Sequence, residues 1–523
     1  MVNTPSLELT LTTRIWQKDY TVWKPNPTEI TNRLGWLTVP EWVKAELPEV
    51  MAFAEDVRNG PVQDIVLLGM GGSSLAPEVL RVAFGQQPGY PRLHMLDSTV
   101  ADWVAQLTQR LDIAKTLFLV SSKSGGTIEL MSFLHHFWQL VCEQVGLAQA
   151  GSHFVAITDP SSPLSQLAAE RDFRRIFLNP SDIGGRFSAL SYFGIVPAAL
   201  AGYPVNDLVA RAVAMQIACA PTADPNPGEV LGRWLAENSL QGRDKLTFVS
   251  SPSLATFGLW AEQLVAESTG KEGKGVLPIA TEPYLPLEQY SADRVFVYLR
   301  LAGAENVVSD AHFAALQAAG KPTLQLDLAD AADLGAEFYR WEFATAVAGA
   351  IFQIQPFDQP NVQESKTITA QVLADVQATG VAPATHSTGS LGEFLAQAQP
   401  NDYIALLVYT NETPALAHDL QVLRQALSAK TGLPTTFGYG PRYLHSTGQY
   451  HKGGPNQGLF IQLLADAQHD LSVPTTFYSF QTLATAQAAG DLQALQNHNR
   501  RVLRLNLGAD PVTGVQQLLS ELV

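Results

Sequence analysis

The stretch Ser121-Ser122-Lys123-Ser124-Gly125-Gly126-Thr127 stands between two patterns of different period. Before it, Leu117-Phe118-Leu119-Val120 is a short uninterrupted apolar run, the pattern of a parallel strand buried on both faces. After it, Ile128-Glu129-Leu130-Met131-Ser132-Phe133-Leu134 reads as a helix. Ser122, Ser124, Thr127 and Lys123 therefore fall at a strand-to-helix turn, where a helix N-terminus offers unpaired N–H groups and a positive dipole end. Gly125 and Gly126 let the backbone approach a ligand. The loop reads as a monophosphate cradle; an ordinary Ser/Gly-rich turn is the alternative that the loop alone leaves open.

Upstream and downstream the same rhythm repeats. The pattern predicts strands over 64–70, 93–96, 116–120, 153–158 and 175–178, with helices between most of them. That alternation implies a parallel sheet covered on both faces, with ligands at the carboxyl ends of its strands. The first strand runs into Gly69-Met70-Gly71-Gly72-Ser73-Ser74. Ser74 stands where a dinucleotide fingerprint needs its third glycine, so we read a glycine turn close to a small ligand, or a tight turn without one. A third glycine site, Gly184-Gly185-Arg186-Phe187-Ser188, sets a permanently charged planar fork before an apolar helix.

Pro221 to Pro227 is the best linker candidate. A second α/β set follows, with strands over 246–250, 294–299 and 323–328. A helix over 255–268 carries Gln263 and Glu267 four apart on one face. Position alone favours a solvated terminal glutamate over a buried base. Lys366, beyond Pro356-Phe357-Asp358-Gln359-Pro360, reads by spacing as a solvated helix lysine. Strands over 403–409, 458–464 and 502–505 close the chain. The loop His445-Ser446-Thr447-Gly448-Gln449-Tyr450-His451 precedes the middle one, without the nearby carboxylate or cysteine of a metal site.

At 523 residues the chain is too long for one core. Its net charge of −16 argues against nucleic acid or an anionic membrane surface as partners. An anionic substrate then needs a locally positive pocket. Two cysteines, Cys142 and Cys219, read as free thiols in a reducing cytosol. Residues 1–8 lack a signal-peptide pattern, so we expect a cytoplasmic protein. The uncharged stretch 187–206 contains Pro197 and Pro204 and reads as buried helix and loop rather than a membrane span.

In this order and spacing, Gly71-Gly72-Ser73, Ser122-Lys123-Ser124, Gly184-Gly185-Arg186-Phe187-Ser188, Gln263 with Glu267-Ser268-Thr269-Gly270-Lys271, and Phe357-Asp358-Gln359 with Lys366 resemble the motifs of phosphoglucose isomerases. Trp23 to Ile30 and the loop around His451 resemble the isomerase half of bifunctional transaldolase/phosphoglucose isomerases. We expect no transaldolase barrel, which takes roughly 250 residues. The resemblance implies an aldose–ketose isomerase of glycolysis and gluconeogenesis acting on glucose 6-phosphate and fructose 6-phosphate. The alternatives are a dual phosphoglucose/phosphomannose isomerase or a non-catalytic sugar-phosphate-binding protein. It also implies a homodimer working without metal or organic cofactor.

By the same resemblance Glu267 is the base and Arg186 stabilises the enediolate. Ser122, Lys123, Ser124 and Thr127 hold the phosphate, and Gly72, Ser73 and Gly185 form the turns beside it. Gln263 and Gln359 contact substrate, and Lys366 assists ring opening. The ring-opening histidine of such enzymes lies between the glutamate and the lysine, where this sequence has only His312 in an alanine-rich helical pattern. We therefore assign ring opening to His451, with His445 as fallback, on a loop expected to cross the subunit interface. The implied fold is two SIS-type parallel-sheet αβα sandwiches with an N-terminal helical extension and rearranged C-terminal segments. Expected boundaries are 1–60 for the extension, 61–225 for the first SIS domain and 226–523 for the second.

Overall fold

All the named strands pair in parallel. The computed structural model describes residues 9–522; the signal-peptide reading of residues 1–8 lies outside them. The first sheet contains β1 (Asp64–Leu68), β2 (Arg92–Leu96), β3 (Thr116–Ser121), β4 (Phe154–Thr158) and β5 (Arg175–Leu178), in the order β2-β1-β3-β4-β5. Every residue of β1, β3 and β4 is buried, as their near-continuous apolar runs require in a sheet covered on both faces.

The second sheet orders β6 (Lys245–Ser250), β7 (Leu277–Ile279), β8 (Arg294–Leu301) and β9 (Thr323–Leu328) as β7-β6-β8-β9. The third orders β10 (Tyr403–Tyr409), β11 (Thr435–Tyr439), β12 (Gly458–Leu464) and β13 (Arg501–Asn506) as β11-β10-β12-β13. The parallel α/β class is as expected, but among the described residues the sheets are three. The late strands, expected to complete the second sandwich, form their own ladder, each pairing as a strand with its neighbours in that sheet.

The sequence pattern missed β7 and β11, and both are edge strands. β7 is three residues long with Pro278 at its centre, and β11 contains Gly438, so neither shows a strand period. The two edges meet through side chains. Arg424 donates to the carbonyls of Ala280 (3.2 Å) and Thr435 (2.8 Å), and Glu282 accepts from the Thr435 N–H at 3.1 Å. Buried charged groups thus cap edges that would otherwise offer unpaired backbone.

The N-terminal extension is helical only in part, over Leu11–Trp16 and Val39–Arg58. Two of its tryptophans anchor it. Trp23 and Trp36 are buried, and the Trp23 indole donates to the Ala346 carbonyl at 2.8 Å. That carbonyl belongs to the helix Leu334–Phe352, which is buried along almost its whole length. The uncharged stretch read as buried forms the helix Tyr192–Leu200, with every residue inside. Among the described residues no helix is long and apolar enough to cross a membrane.

Candidate active site

In an open parallel sheet the crevice lies where the winding reverses, here between the carboxyl ends of β1 and β3. β1 leads into Gly71-Gly72-Ser73 and β3 into the loop 122–127, so the first two glycine-rich turns flank that crevice. A cavity of about 570 Å³ opens there. Its walls include Gly72, Ser73, Ser122, Lys123, Ser124, Thr127, Gly185, Gln263, Glu267, Gln359, Lys366 and His445. Six separate stretches of sequence therefore meet on one polar cavity of ligand size.

The loop has the backbone of a cradle. The Gly125 N–H donates to Ser122 Oγ at 3.1 Å, and Ser122 Oγ lies 3.4 Å from Thr127 Oγ1. Gly125 has φ +66°, and a Cβ there would lie 2.7 Å from the Leu164 nitrogen, so only glycine fits the turn. The loop delivers the N-terminus of the 18-residue helix Ile128–Val145 to the cavity. Lys123 is less free than its sequence suggested. Its ammonium pairs with Asp159 and donates to the Ser181 carbonyl at 2.8 Å. Arg33, which sequence reasoning passed over, also lines this end of the cavity.

Opposite the loop sits the glutamate. The helix Phe257–Ala261 widens into a π-helical turn over Glu262–Glu267, a departure that recurs at functional sites. Gln263 Nε2 donates to Glu267 Oε2 at 3.2 Å. Arg186 Nη1 lies 3.1 Å from Glu267 Oε1, with side chains 4% and 8% exposed. Glu267 is therefore buried and paired, against the solvated reading that its position favoured.

The guanidinium of Arg186 makes four hydrogen bonds besides its ion pair with Glu267. Nε donates to Ser268 Oγ (2.9 Å), Nη1 to Gln359 Oε1 (3.0 Å), and Nη2 to the carbonyls of Pro356 (3.0 Å) and Asp358 (2.7 Å). Arg186 thus lies behind Glu267 and ties the 356–359 loop to the π-turn. Lys271 is buried beside them. Burial, with the Arg186 charge nearby, pulls its ammonium down to about 7, although Asp358 pairs with it at 2.8 Å. Gln263 Oε1 is buried with no partner, an acceptor held ready beside the carboxylate.

The histidine expectation needs correction. His451 is buried in the core of the third sheet, its ring 4.9 Å from Phe460 and 6.2 Å from Tyr403, with neither nitrogen bonded. It does not line the cavity, and burial holds it well below the usual imidazole range. The apolar run of β12 draws that part of the loop inward. His445, one short turn earlier, lines the cavity instead, and it does so within the same chain. Its Nε2 lies 3.0 Å from Glu129 Oε1, which also accepts from Gln487 Nε2 at 2.7 Å. His312 lies elsewhere, stacked on Tyr284 at 4.2 Å and 3.1 Å from the Tyr290 hydroxyl.

Glu129 escaped sequence reasoning. The one signal it gave was a lone acid in the first turn of an otherwise apolar helix. Burial pushes its carboxyl up, but the charge and hydrogen bond of His445, a backbone hydrogen bond and Lys366 outweigh that and hold it below the ordinary glutamate range. Lys366 itself is exposed at the cavity mouth, so both readings of it, solvated and site-facing, describe one side chain.

Fold and site together define a parallel α/β enzyme with a Ser/Gly-rich strand-to-helix turn and a buried glutamate, paired with Arg186, on one cavity. A model of the family described as phosphoglucose isomerase matches residues 37–276. Glucose-6-phosphate isomerase of Rubrobacter xylanophilus is 30% identical over 64% of this chain and 88% of its own length, and that of Thermus thermophilus is 31% identical over 65% and 90%. The chain belongs to the phosphoglucose isomerase family. A hypothetical protein of Thermus thermophilus superposes with TM-score 0.60 at 26% identity, covering 69% of this chain and 94% of its own. A glucose-6-phosphate isomerase of Chlamydia trachomatis shares the fold, with TM-score 0.57 at 22% identity over 70% of this chain and 84% of that one.

Proposed function

We propose that the protein interconverts glucose 6-phosphate and fructose 6-phosphate through a cis-enediol, with Glu267 as the base. The observation that carries this is the placement of Glu267: buried, paired with Arg186, and lining the same cavity as the Ser122–Thr127 loop. A phosphate held at the loop leaves the sugar carbons spanning the cavity toward the carboxylate.

The chemistry follows from these groups. His445, held by Glu129, moves a proton between O1 and the ring oxygen to open the sugar, a task that suits an imidazole at neutral pH. Lys366 at the mouth assists that step. Glu267 then takes the proton from C2, the C–H electron pair forms the C1–C2 double bond, and O1 gains the negative charge. The O2 hydroxyl proton passes to O1, and return of the proton from Glu267 to C1 then leaves the carbonyl at C2 and a hydroxyl at C1. As Glu267 becomes neutral, the Arg186 charge behind it is no longer offset and its field favours the negative charge developing on the substrate. Gln263 Oε1 and Gln359 serve the substrate hydroxyls.

A homodimer and a cytoplasmic location complete this reading. The free thiols of Cys142 and Cys219 support the second, since unpaired cysteines suit a reducing compartment. The test is a coupled assay of fructose 6-phosphate conversion with a chelator present, on wild type and Glu267→Gln. Conversion by the wild type and its loss in the variant is the expected result; no conversion by either would overturn the proposal.

A further inference from the structure

We infer that the active site is complete within a single chain, because the C-terminal segment, residues 380–523, supplies the histidine wall of the cavity in cis. This rests on the isomerase reading above. Five of the six stretches that meet on the cavity come from the first two sheets and the loop and helix after them. The sixth, Arg442–His445, belongs to the third sheet, since it follows directly on β11.

The packing of that segment argues that it belongs where it lies. Ser98 Oγ donates to the Gly440 carbonyl at 2.9 Å, and Thr99 Oγ1 to Gln487 Oε1 at 2.6 Å, both buried. Arg442 pairs with Asp97 at 2.7 Å. The Asp102 carboxylate accepts the backbone N–H groups of Gln468 (3.0 Å) and His469 (2.9 Å). Phe480 stacks on Phe133 at 5.9 Å, joining the apolar core beneath the phosphate loop. On the other side Gln449 bridges the Gly270 carbonyl and Asn361 at 3.1 and 2.7 Å, tying the histidine loop to the strand-and-helix unit that carries Glu267.

Gly71 shows how close the approach is. It has φ +55°, and a Cβ there would lie 2.9 Å from the His445 carbonyl and 2.7 Å from Gln263 Nε2. The glycine turn, the histidine loop and the glutamine beside the base are thus in mutual contact, and a side chain at position 71 would part them. Supply of His445 from a second copy would require these bonds, the buried ones of Ser98 and Thr99 among them, to be broken and remade between chains.

The test pairs two variants with different defects. Glu267→Gln lacks the base and His445→Ala lacks the ring-opening group; His445→Gln serves as a second variant, and melting curves show that each is folded. Each alone is expected to fall roughly 10²–10⁴-fold in turnover of the closed-ring sugar, the usual worth of a general acid–base group. The two chains are then co-expressed with different tags and the doubly captured protein is assayed beside a wild-type/Glu267→Gln pair treated alike. Cis sites predict no gain over His445→Ala alone, because every cavity retains one defect. Failure of doubly tagged protein to form, with specific activity constant on dilution of the wild type, supports the inference equally. Restored activity, approaching that of the wild-type pair, would mean that Glu267 and His445 meet across chains and would overturn it. Wild-type-like turnover in the single variants would instead overturn the isomerase reading beneath it.

Discussion

His445 and Glu129 lie 316 residues apart in the chain, yet their side chains meet at 3.0 Å on the cavity wall. The carboxylate orients the imidazole and is itself fixed by Gln487 from a third stretch. A buried carboxylate in this position holds one ring nitrogen and leaves the other for the substrate.

Among the three histidines, only His445→Ala should lose conversion of the closed-ring sugar, by roughly 10²–10⁴-fold. His451→Ala should instead lower thermal stability with turnover of the remaining folded protein nearly intact, because its ring fills an aromatic core. His312→Ala should retain turnover. Comparing turnover with melting temperature for all three checks this; loss of chemistry in His451→Ala at wild-type stability would count against the assignment.

Replacing Glu267 by glutamine keeps the shape and removes the base. Turnover should collapse while affinity for a phosphorylated sugar inhibitor changes little, because the phosphate end of the cavity is untouched. Inhibition constants measured beside kcat separate the two effects.

Ser122→Ala and Thr127→Ala should raise KM for the phosphorylated sugar. A charge-assisted hydrogen bond is worth roughly 1.5–3 kcal/mol, so each variant should weaken binding about tenfold or more. The loss should vanish for a sugar without phosphate. An unchanged KM in the double variant would place the phosphate elsewhere.

Acid should loosen the C-terminal segment through His136. The ring packs on Phe480 at 5.7 Å, and burial pushes it down to about 4. The unfolded chain binds its proton near pH 6.5, so the folded protein loses stability as pH falls from about 6.5 towards 4, by up to about 3 kcal/mol. His136→Gln should flatten that part of the profile of melting temperature against pH. An identical slope in wild type and variant would sink the prediction.

Glu129 acts over a lower range and with a different partner. Its folded-state titration lies below the ordinary glutamate value, so its contribution is present at neutral pH and is lost as pH falls through that depressed value. Glu129→Gln should therefore lower stability at pH 7 and converge with wild type in acid. The same variant should lose ring-opening activity, since an amide holds the imidazole less firmly than a carboxylate.

Much of this was legible in the residues. Local signals determined the strands of the first sheet, the two glycine turns at its crevice and the strand-to-helix turn from Ser122 to Thr127, because period, glycine and helix start are properties of adjacent residues. The family motifs supplied roles for Glu267 and Arg186 that position alone did not. Tertiary structure decided what depends on distant partners. Glu267 is buried because Arg186, arriving from another glycine turn, offsets its charge. β10 to β13 form a third sheet because their edge is closed by the side chains of Arg424 and Glu282. His445 rather than His451 faces the cavity because the same short loop is pinned at one end by Asp97 and Glu129 and drawn at the other into the aromatic core beside Phe460. Nothing in the linear order distinguishes those two histidines; the difference is which neighbours the folded chain brings to each.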